Sequence, residues 1–134
     1  MKQQLSKDSI KALVSYRMQR AQETLKEADT LTKSGFYNAA VNRLYYACYY
    51  AIIALLLKNN ISANTHNGVK QMFGMHFIMT GRMDNTYSKF YTQLFNARMS
   101  GDYDDFLWYD LAMLSELYPQ SEEFINAINI ELNK

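Results

Sequence analysis

The sequence predicts an all-α protein, a compact bundle of four to five helices in one domain over residues 1–134. The chain has one proline and five glycines among its 134 residues, too few for the tight turns of a β-sandwich or barrel. Hydrophobic residues make up 49%, which argues against a disordered chain. Apolar residues also recur every three or four positions, which is the period of an amphipathic helix.

The first predicted helix runs from about Lys7 to Lys33. Ser6 is a suitable N-cap, and Ser34-Gly35 is a typical helix end. The charged residues opposite its apolar stripe are interpreted as a solvated face. The stripe itself consists of Ile10, Val14, Met18, Ala21, Leu25 and Ala28.

The second predicted helix, from about Tyr37 to Asn59, is apolar on nearly every side. Such a helix is buried on several sides, so we expect it to be the central helix of the bundle. Its uncharged run from Leu44 to Leu57 has 14 residues. That run is shorter than the roughly 20 residues that span a bilayer, so no membrane association is expected.

Three further segments complete the predicted bundle. The third helix begins after the N-cap Thr65 and closes at Thr80-Gly81, and Gly74 weakens it. Its apolar positions are Val69, Met72, Phe73, His76 or Phe77, and Met79. The fourth runs from about Asp84 to Met99 with Gly101 as its C-cap, and it turns Tyr87, Phe90, Tyr91, Leu94 and Phe95 inward. The last runs from about Trp108 to Leu132, and Phe124, Ile125, Ile128 and Leu132 form its final stripe. Pro119 either kinks or restarts that helix, or is the first residue of a separate one.

Charge and cysteine content narrow the class of protein. The formal net charge is +1, unlike that of a strongly basic nucleic-acid binder. A lone cysteine, Cys48, cannot form an internal disulfide or a cysteine zinc cluster. The polar, charged N-terminus does not resemble a signal peptide. We therefore expect a cytoplasmic protein without a metal or other cofactor.

Tyrosine is unusually frequent, at 11 residues. A tyrosine buries a large apolar ring but keeps a hydroxyl that needs a partner. Five of the eleven lie on the second helix. This clustering predicts a wet interface there, with Tyr45, Tyr46 and Tyr49 at the contact of a homodimer.

A few polar residues are candidates for a site. Arg43 and Arg98 lie beside aromatic positions on helices, where an arginine meets a carboxylate, a carbonyl row or a phosphate. His66 follows a helix cap and is suited to local hydrogen bonding or to a polar groove. His76 is interpreted as a core or interface histidine. Acidic residues Asp102, Asp104 and Asp105 are interpreted as solubilising a loop, since they lack an EF-hand spacing.

Several motifs resemble the HEPN domain family. Asn38–Ala47, continued by Tyr49-Tyr50-Ala51, resembles the family's second-helix signature, and Thr65-His66-Asn67-Gly68 with Phe73 and Phe77 resembles its third-helix start. Leu94–Arg98 followed by Gly101-Asp102-Tyr103 resembles its fourth-helix end, and Phe124-Ile125 fits its last helix. The resemblance implies a helical bundle, commonly dimeric, often encoded beside a small nucleotidyltransferase in toxin–antitoxin or defence modules.

The resemblance also implies a possible activity. Active family members are metal-independent ribonucleases in which an arginine is followed, four to six residues later, by a histidine. Arg98 matches the arginine, but Tyr103, Asp104 and Asp105 stand where the histidine falls. Tyrosine titrates near pH 10 and is a poor base at neutral pH. The chain therefore resembles a branch that carries tyrosine in place of the catalytic histidine.

Three functions are consistent with these residues. The first is a non-catalytic binding module for nucleotide, RNA or a nucleotidyltransferase partner, with a groove formed by Arg43, His66, Arg98, Asp102 and Tyr103. The second is a ribonuclease with a substituted site, in which Arg98 holds phosphate and Tyr103 or Asp104 replaces the histidine. The third is a dimeric scaffold without ligand. The first is favoured, so the sequence does not predict an enzyme.

Overall fold

A computed structural model shows five α-helices and one π-helical turn. It describes residues 5–103 and 108–134, with side chains outside 100–103, and these residues contain no β-strand. The elements are α1 Lys7–Lys33, α2 Tyr37–Lys58, α3 His66–Phe73, the π-helical turn Gly74–Ile78, α4 Asn85–Tyr103 and α5 Leu111–Leu132. The all-α bundle predicted from sequence is confirmed.

Helix α1 has the predicted bounds and the predicted ends. The Ser6 hydroxyl accepts a hydrogen bond from the Ser9 backbone N–H at 3.1 Å, which satisfies one of the free donors of the first turn. After the helix, Gly35 adopts φ +83°, a left-handed conformation that favours glycine. The chain therefore reverses at this glycine and leads into α2.

Helix α2 lies at the centre, packed against α1, α3, α4 and α5. Its alanines Ala40, Ala47, Ala51 and Ala54 are fully buried, and their small side chains allow neighbouring helices to approach closely. By length and composition alone, the whole helix could cross a membrane. The sequence prediction considered only its shorter uncharged run from Leu44 to Leu57 and did not show this. Most of the helix is buried inside the bundle, which is the environment of a core helix.

The lone cysteine belongs to this central helix. Cys48 is fully buried, and burial raises the pKa of its thiol to about 12. The thiol therefore stays protonated and behaves as a small apolar side chain.

The third segment changes helix type at Gly74, where α3 passes into the π-helical turn. Phe77 rather than His76 takes the core position, since Phe77 is fully buried and His76 is only half-buried. The prediction that Met79 faces the core is wrong, because this side chain is 82% exposed. The π-helical turn has a wider repeat than an α-helix, which displaces positions after Gly74 from the expected stripe.

Two helix ends differ from the prediction. Gly101 is not the C-cap of α4, since the helix continues through it to Tyr103; glycine permits helical as well as left-handed backbone. Helix α5 begins at Leu111 rather than near Trp108, because the Asp110 carboxylate caps it by accepting from the Met113 N–H at 2.9 Å.

Pro119 neither restarts α5 nor begins a separate helix, because Leu111–Leu132 is a single helix that contains it. Proline cannot donate a hydrogen bond to the fourth residue before it, so the helix loses one bond there. Leu117 and Ser121 are buried on either side of the exposed Pro119. Packing of that face against the core holds the helix together across the proline.

Candidate functional site

A histidine, an arginine and three tyrosines meet where α2, the start of α3 and the end of α4 come together. We call Tyr45, Tyr46, Tyr49, His66 and Arg98 the Arg98 cluster. The three tyrosines lie on α2, His66 is the first residue of α3, and Arg98 lies on α4. Residues that are distant in sequence thus form one polar and aromatic group.

The start of α3 is fixed by the Thr65–Gly68 turn. The Thr65 hydroxyl accepts a hydrogen bond from the Gly68 N–H at 2.9 Å. A Cβ on Gly68 would lie 3.0 Å from that same hydroxyl oxygen, so a larger residue would push against the cap. The small residue therefore allows the capped turn that places His66 against α2.

Arg98 is held against two tyrosine rings. Its guanidinium carbon lies 5.5 Å from the ring centroid of Tyr45 and 5.5 Å from that of Tyr46, within the range of cation–π attraction. Its Nη2 donates to the Tyr46 hydroxyl at 3.2 Å. The guanidinium is thereby oriented by aromatic contacts, and it keeps a full positive charge.

His66 is held by Tyr45, which it shares with Arg98, and by Tyr49. Its Nδ1 lies 2.7 Å from the Tyr45 hydroxyl, and its ring stacks on Tyr49 with centroids 4.5 Å apart and planes inclined by 27°. Burial and, secondarily, the positive charge of Arg98 lower the pKa of His66. The imidazole is therefore mainly neutral at pH 7, and Nε2 does not take part in the Tyr45 bond.

Tyr45 and Tyr91 form the floor beneath this group. Tyr45 is fully buried and Tyr91 is 1% exposed, and their rings stack at 5.7 Å. Burial raises the pKa of Tyr45 to about 12 and that of Tyr91 still higher, so both stay protonated. The prediction that Tyr45 forms a dimer contact is wrong, because its side chain is enclosed within one chain. Tyr46 and Tyr49 are half-buried, and their role in a dimer stays a prediction.

Arg43 also contacts Tyr46, with its guanidinium carbon 5.1 Å from that ring centroid. Its Nη1 is 3.5 Å from Glu27 Oε2, and its Nη2 donates to Asn42 Oδ1 at 3.0 Å. The structure thus brings together three of the five predicted groove residues, Arg43, His66 and Arg98, around the tyrosines. The side chains of Asp102 and Tyr103 lie outside the described residues.

Two arginines near the cluster were missed by the sequence analysis. Arg17 and Arg20 of α1, interpreted as part of a solvated face, lie over the rings of Tyr16 and Tyr50 at 5.8 and 5.7 Å. Their spacing of three residues places them on one side of α1. That spacing was the available signal, but nothing in the sequence shows that this side meets the tyrosines of α2.

Among the side chains of residues 5–99 and 108–134, no three from His, Cys, Asp or Glu are grouped so that they could hold an ion. Asp104 and Asp105 lie outside the described residues. His76 is half-buried rather than enclosed in the core.

The family model of the HEPN domain matches residues 14–131. The chain belongs to the HEPN family. The match spans α1 to α5, and the HEPN motif residues Asn38–Ala47, His66 and Arg98 are the ones that form or support the Arg98 cluster.

This HEPN protein is similar to a UPF0332 protein and to two archaeal proteins. It is 34% identical over 116 residues to a UPF0332 protein of Thermotoga maritima, covering 87% of this chain and 88% of the relative. It is 37% identical to MJ0605 of Methanocaldococcus jannaschii over 77% of this chain and 76% of the relative. It is 36% identical to MJ0142 of the same organism over 65% and 59%, respectively. Both of the latter proteins are named as candidate toxins.

The histidine positions of the HEPN ribonuclease motif hold other residues in this chain. Tyr103, Asp104 and Asp105 occupy the histidine positions of the motif in sequence, and their side chains lie outside the described residues. A histidine nevertheless lies beside Arg98, since His66 shares the Tyr45 and Tyr46 rings with it. It comes from the start of α3 rather than from the end of α4.

Proposed function

We propose that this HEPN protein is the RNA-binding component of a toxin–antitoxin or defence module and that the Arg98 cluster is its ligand site. The carrying observation is the arrangement of Arg98 over the Tyr45 and Tyr46 rings with His66 beside it. A planar guanidinium suits a phosphate. Aromatic rings next to it suit the unstacked bases of single-stranded RNA.

The partners belong to the same proposal. We propose a cytoplasmic homodimer with a small nucleotidyltransferase as protein partner. The dimer contact is proposed to leave the half-buried rings of Tyr46 and Tyr49 open to the ligand. Light scattering of the purified chain tests the dimer, and mass spectrometry of what co-purifies with the tagged chain from its host tests the partner.

Changing Arg98 to Gln is expected to weaken RNA binding. Loss of a charged hydrogen bond to phosphate reduces affinity about tenfold or more. Arg98→Lys keeps the charge but not the planar guanidinium, so its RNA affinity should lie between those of the wild type and Arg98→Gln. The measurement is fluorescence anisotropy of a labelled 12-nucleotide oligouridine at fixed salt.

Lys89→Gln is the matched control for this experiment. Lys89 is an exposed cation on the same helix, nine residues before Arg98, or about 13 Å along the axis. Equal affinity of the wild type and Arg98→Gln would contradict the proposed site. No RNA affinity in the wild type would favour the scaffold function.

A metal-independent ribonuclease is the second candidate, and one specific observation favours it. His66 has a lowered pKa, a tyrosine bond at Nδ1 and an arginine beside it. This combination provides a neutral base at pH 7 together with a fixed cation. In the hypothesis drawn from the sequence, Tyr103 or Asp104 replaces the motif histidine. In the structure-based hypothesis, His66 has that role.

The chemistry follows from these two groups. His66 Nε2 removes the proton of a ribose 2′-hydroxyl, and the oxygen attacks the adjacent phosphorus. The P–O2′ bond forms as the P–O5′ bond breaks, leaving a 2′,3′-cyclic phosphate, and the departing 5′ oxygen takes a proton from the imidazolium or from water. Arg98 stabilises the negative charge that develops on the phosphoryl oxygens. This arrangement needs no metal ion.

A further inference from the structure

Three tyrosine rings of α2 form a continuous half-exposed surface. The centroids of Tyr46 and Tyr49 are 6.0 Å apart, those of Tyr46 and Tyr50 6.1 Å, and those of Tyr49 and Tyr50 6.1 Å. None of the three is fully buried, in contrast to Tyr45 beneath them. We call Tyr46, Tyr49 and Tyr50 the tyrosine platform.

Arginines from three helices surround the platform. Arg20 of α1 lies 5.7 Å over Tyr50, Arg43 of α2 lies 5.1 Å over Tyr46, and Arg98 of α4 approaches Tyr46 from the cluster described above. The platform is therefore bordered by guanidinium groups on more than one edge. A chain whose total charge is only +1 concentrates positive charge here.

Arg17 of α1 adds a fourth guanidinium. Its guanidinium carbon lies 5.8 Å from the ring centroid of Tyr16, and its positive charge opposes the rise that burial causes in the pKa of the Tyr49 hydroxyl. Its Nε is buried without a hydrogen-bond partner among the described residues. Arg17 also has no carboxylate partner in that part of the chain.

Two carboxylates of α1 form ion pairs with two of the other arginines, Arg20 and Arg43. Arg20 Nη1 lies 2.8 Å from Glu23 Oε2, and Arg43 Nη1 lies 3.5 Å from Glu27 Oε2. Both pairs are partly exposed, so water and salt weaken them. The four arginines outnumber the two glutamates, and the local charge stays positive.

We propose that the tyrosine platform and its arginines bind a single strand of nucleic acid that extends from the Arg98 cluster across α2 to α1. Bases stack on the accessible parts of the half-buried rings and on guanidinium planes, while the arginines contact phosphates. A duplex is excluded as the favoured ligand because its bases are already stacked on one another. The proposal rests on the RNA binding proposed above and adds a strand path and a ligand class to it.

This path does not depend on the 2′-hydroxyl. Stacking and phosphate contacts are common to RNA and DNA strands, so labelled 12-nucleotide oligothymidine and oligouridine both serve as probes. A hairpin duplex of the same length is the third probe. Titration at several salt concentrations gives both the affinity and the salt dependence.

We expect Tyr50→Leu to weaken binding of both single strands about fivefold or more, because one stacking surface is lost. Tyr50→Phe keeps the ring and should stay within about twofold of the wild type. Arg17→Gln and Arg20→Gln should each reduce the slope of log affinity against log salt by about 0.7. Glu27→Gln should strengthen binding about twofold, because it removes a competitor for Arg43.

Several results would contradict the proposal that the platform binds a single strand. One is an unchanged affinity and salt slope in Tyr50→Leu and Arg17→Gln. Another is equal binding of the hairpin and the single strands. A third is dissociation of a dimer by Tyr50→Leu with unchanged strand binding, since the rings would then serve as a subunit contact. If Arg98→Gln alone lowers affinity, the proposed RNA site stands and only the platform fails; circular dichroism confirms that each variant is folded.

Discussion

On the ribonuclease proposal, replacing His66 with glutamine is expected to lower metal-independent cleavage of single-stranded RNA by about 10²- to 10⁴-fold, the usual contribution of a general base. Glutamine can keep a hydrogen bond to the Tyr45 hydroxyl, which His66 Nδ1 now contacts at 2.7 Å, but it cannot take up a proton. Strand binding should therefore change much less than the cleavage rate. The measurement is single-turnover cleavage of a labelled oligouridine in the presence of a chelator.

The pH profile of the wild type provides an independent check on His66. Burial and the charge of Arg98 lower its pKa, so the active neutral base persists to lower pH than a free imidazole, whose pKa is about 6.5. Cleavage should rise with pH, reach its plateau at a lower pH than a free imidazole would give, and fall as acid protonates His66. Cleavage by His66→Gln at the wild-type rate, or a rate that needs added Mg²⁺, would contradict this role.

Truncating Phe124 to alanine is expected to lower the free energy of unfolding by about 3–5 kcal/mol, as for other fully buried phenylalanines. The Phe124 ring lies within 6.1 Å of the rings of Phe73, Tyr87, Phe90 and Tyr91. It therefore joins α5 to α3 and α4, and its loss leaves a cavity between them. Urea denaturation followed by circular dichroism measures the change.

The same substitution at Phe36 is the matched control. Phe36 is 62% exposed before α2, so Phe36→Ala should change stability by less than about 0.5 kcal/mol. A similar loss in both variants would mean that Phe124 is not a central core residue. Phe124→Leu should lie between the wild type and Phe124→Ala, because leucine fills part of the cavity.

Much of the fold could be predicted because its signals are local. The capping residues Ser6 and Thr65 and the glycine at 35 stand next to the helices that they bound. Gly101 and Pro119 misled the prediction because their local preference competes with packing of the rest of the helix. Buried residues on both sides of Pro119 decide that competition, and no local pattern shows them.

The site could be predicted only in part. Arg43, His66 and Arg98 were identified from their positions beside aromatic residues and from the family motifs. Their pairing with particular rings depends on how α2, α3 and α4 pack, and so does the approach of Arg17 and Arg20 from α1. The sequence placed His66 and Arg98 in one groove, but it did not identify His66 as the histidine of the ribonuclease hypothesis, because His66 lies 32 residues earlier than Arg98.

The enclosed thiol of Cys48 provides this protein with an internal reporter. With no exposed surface and a pKa near 12, the sulfur can meet an alkylating reagent only when the helices around α2 separate. As the chain's sole cysteine, it yields one labelling rate without any engineered probe. That rate measures how often the bundle opens, and any strand or partner that binds the closed state will slow it.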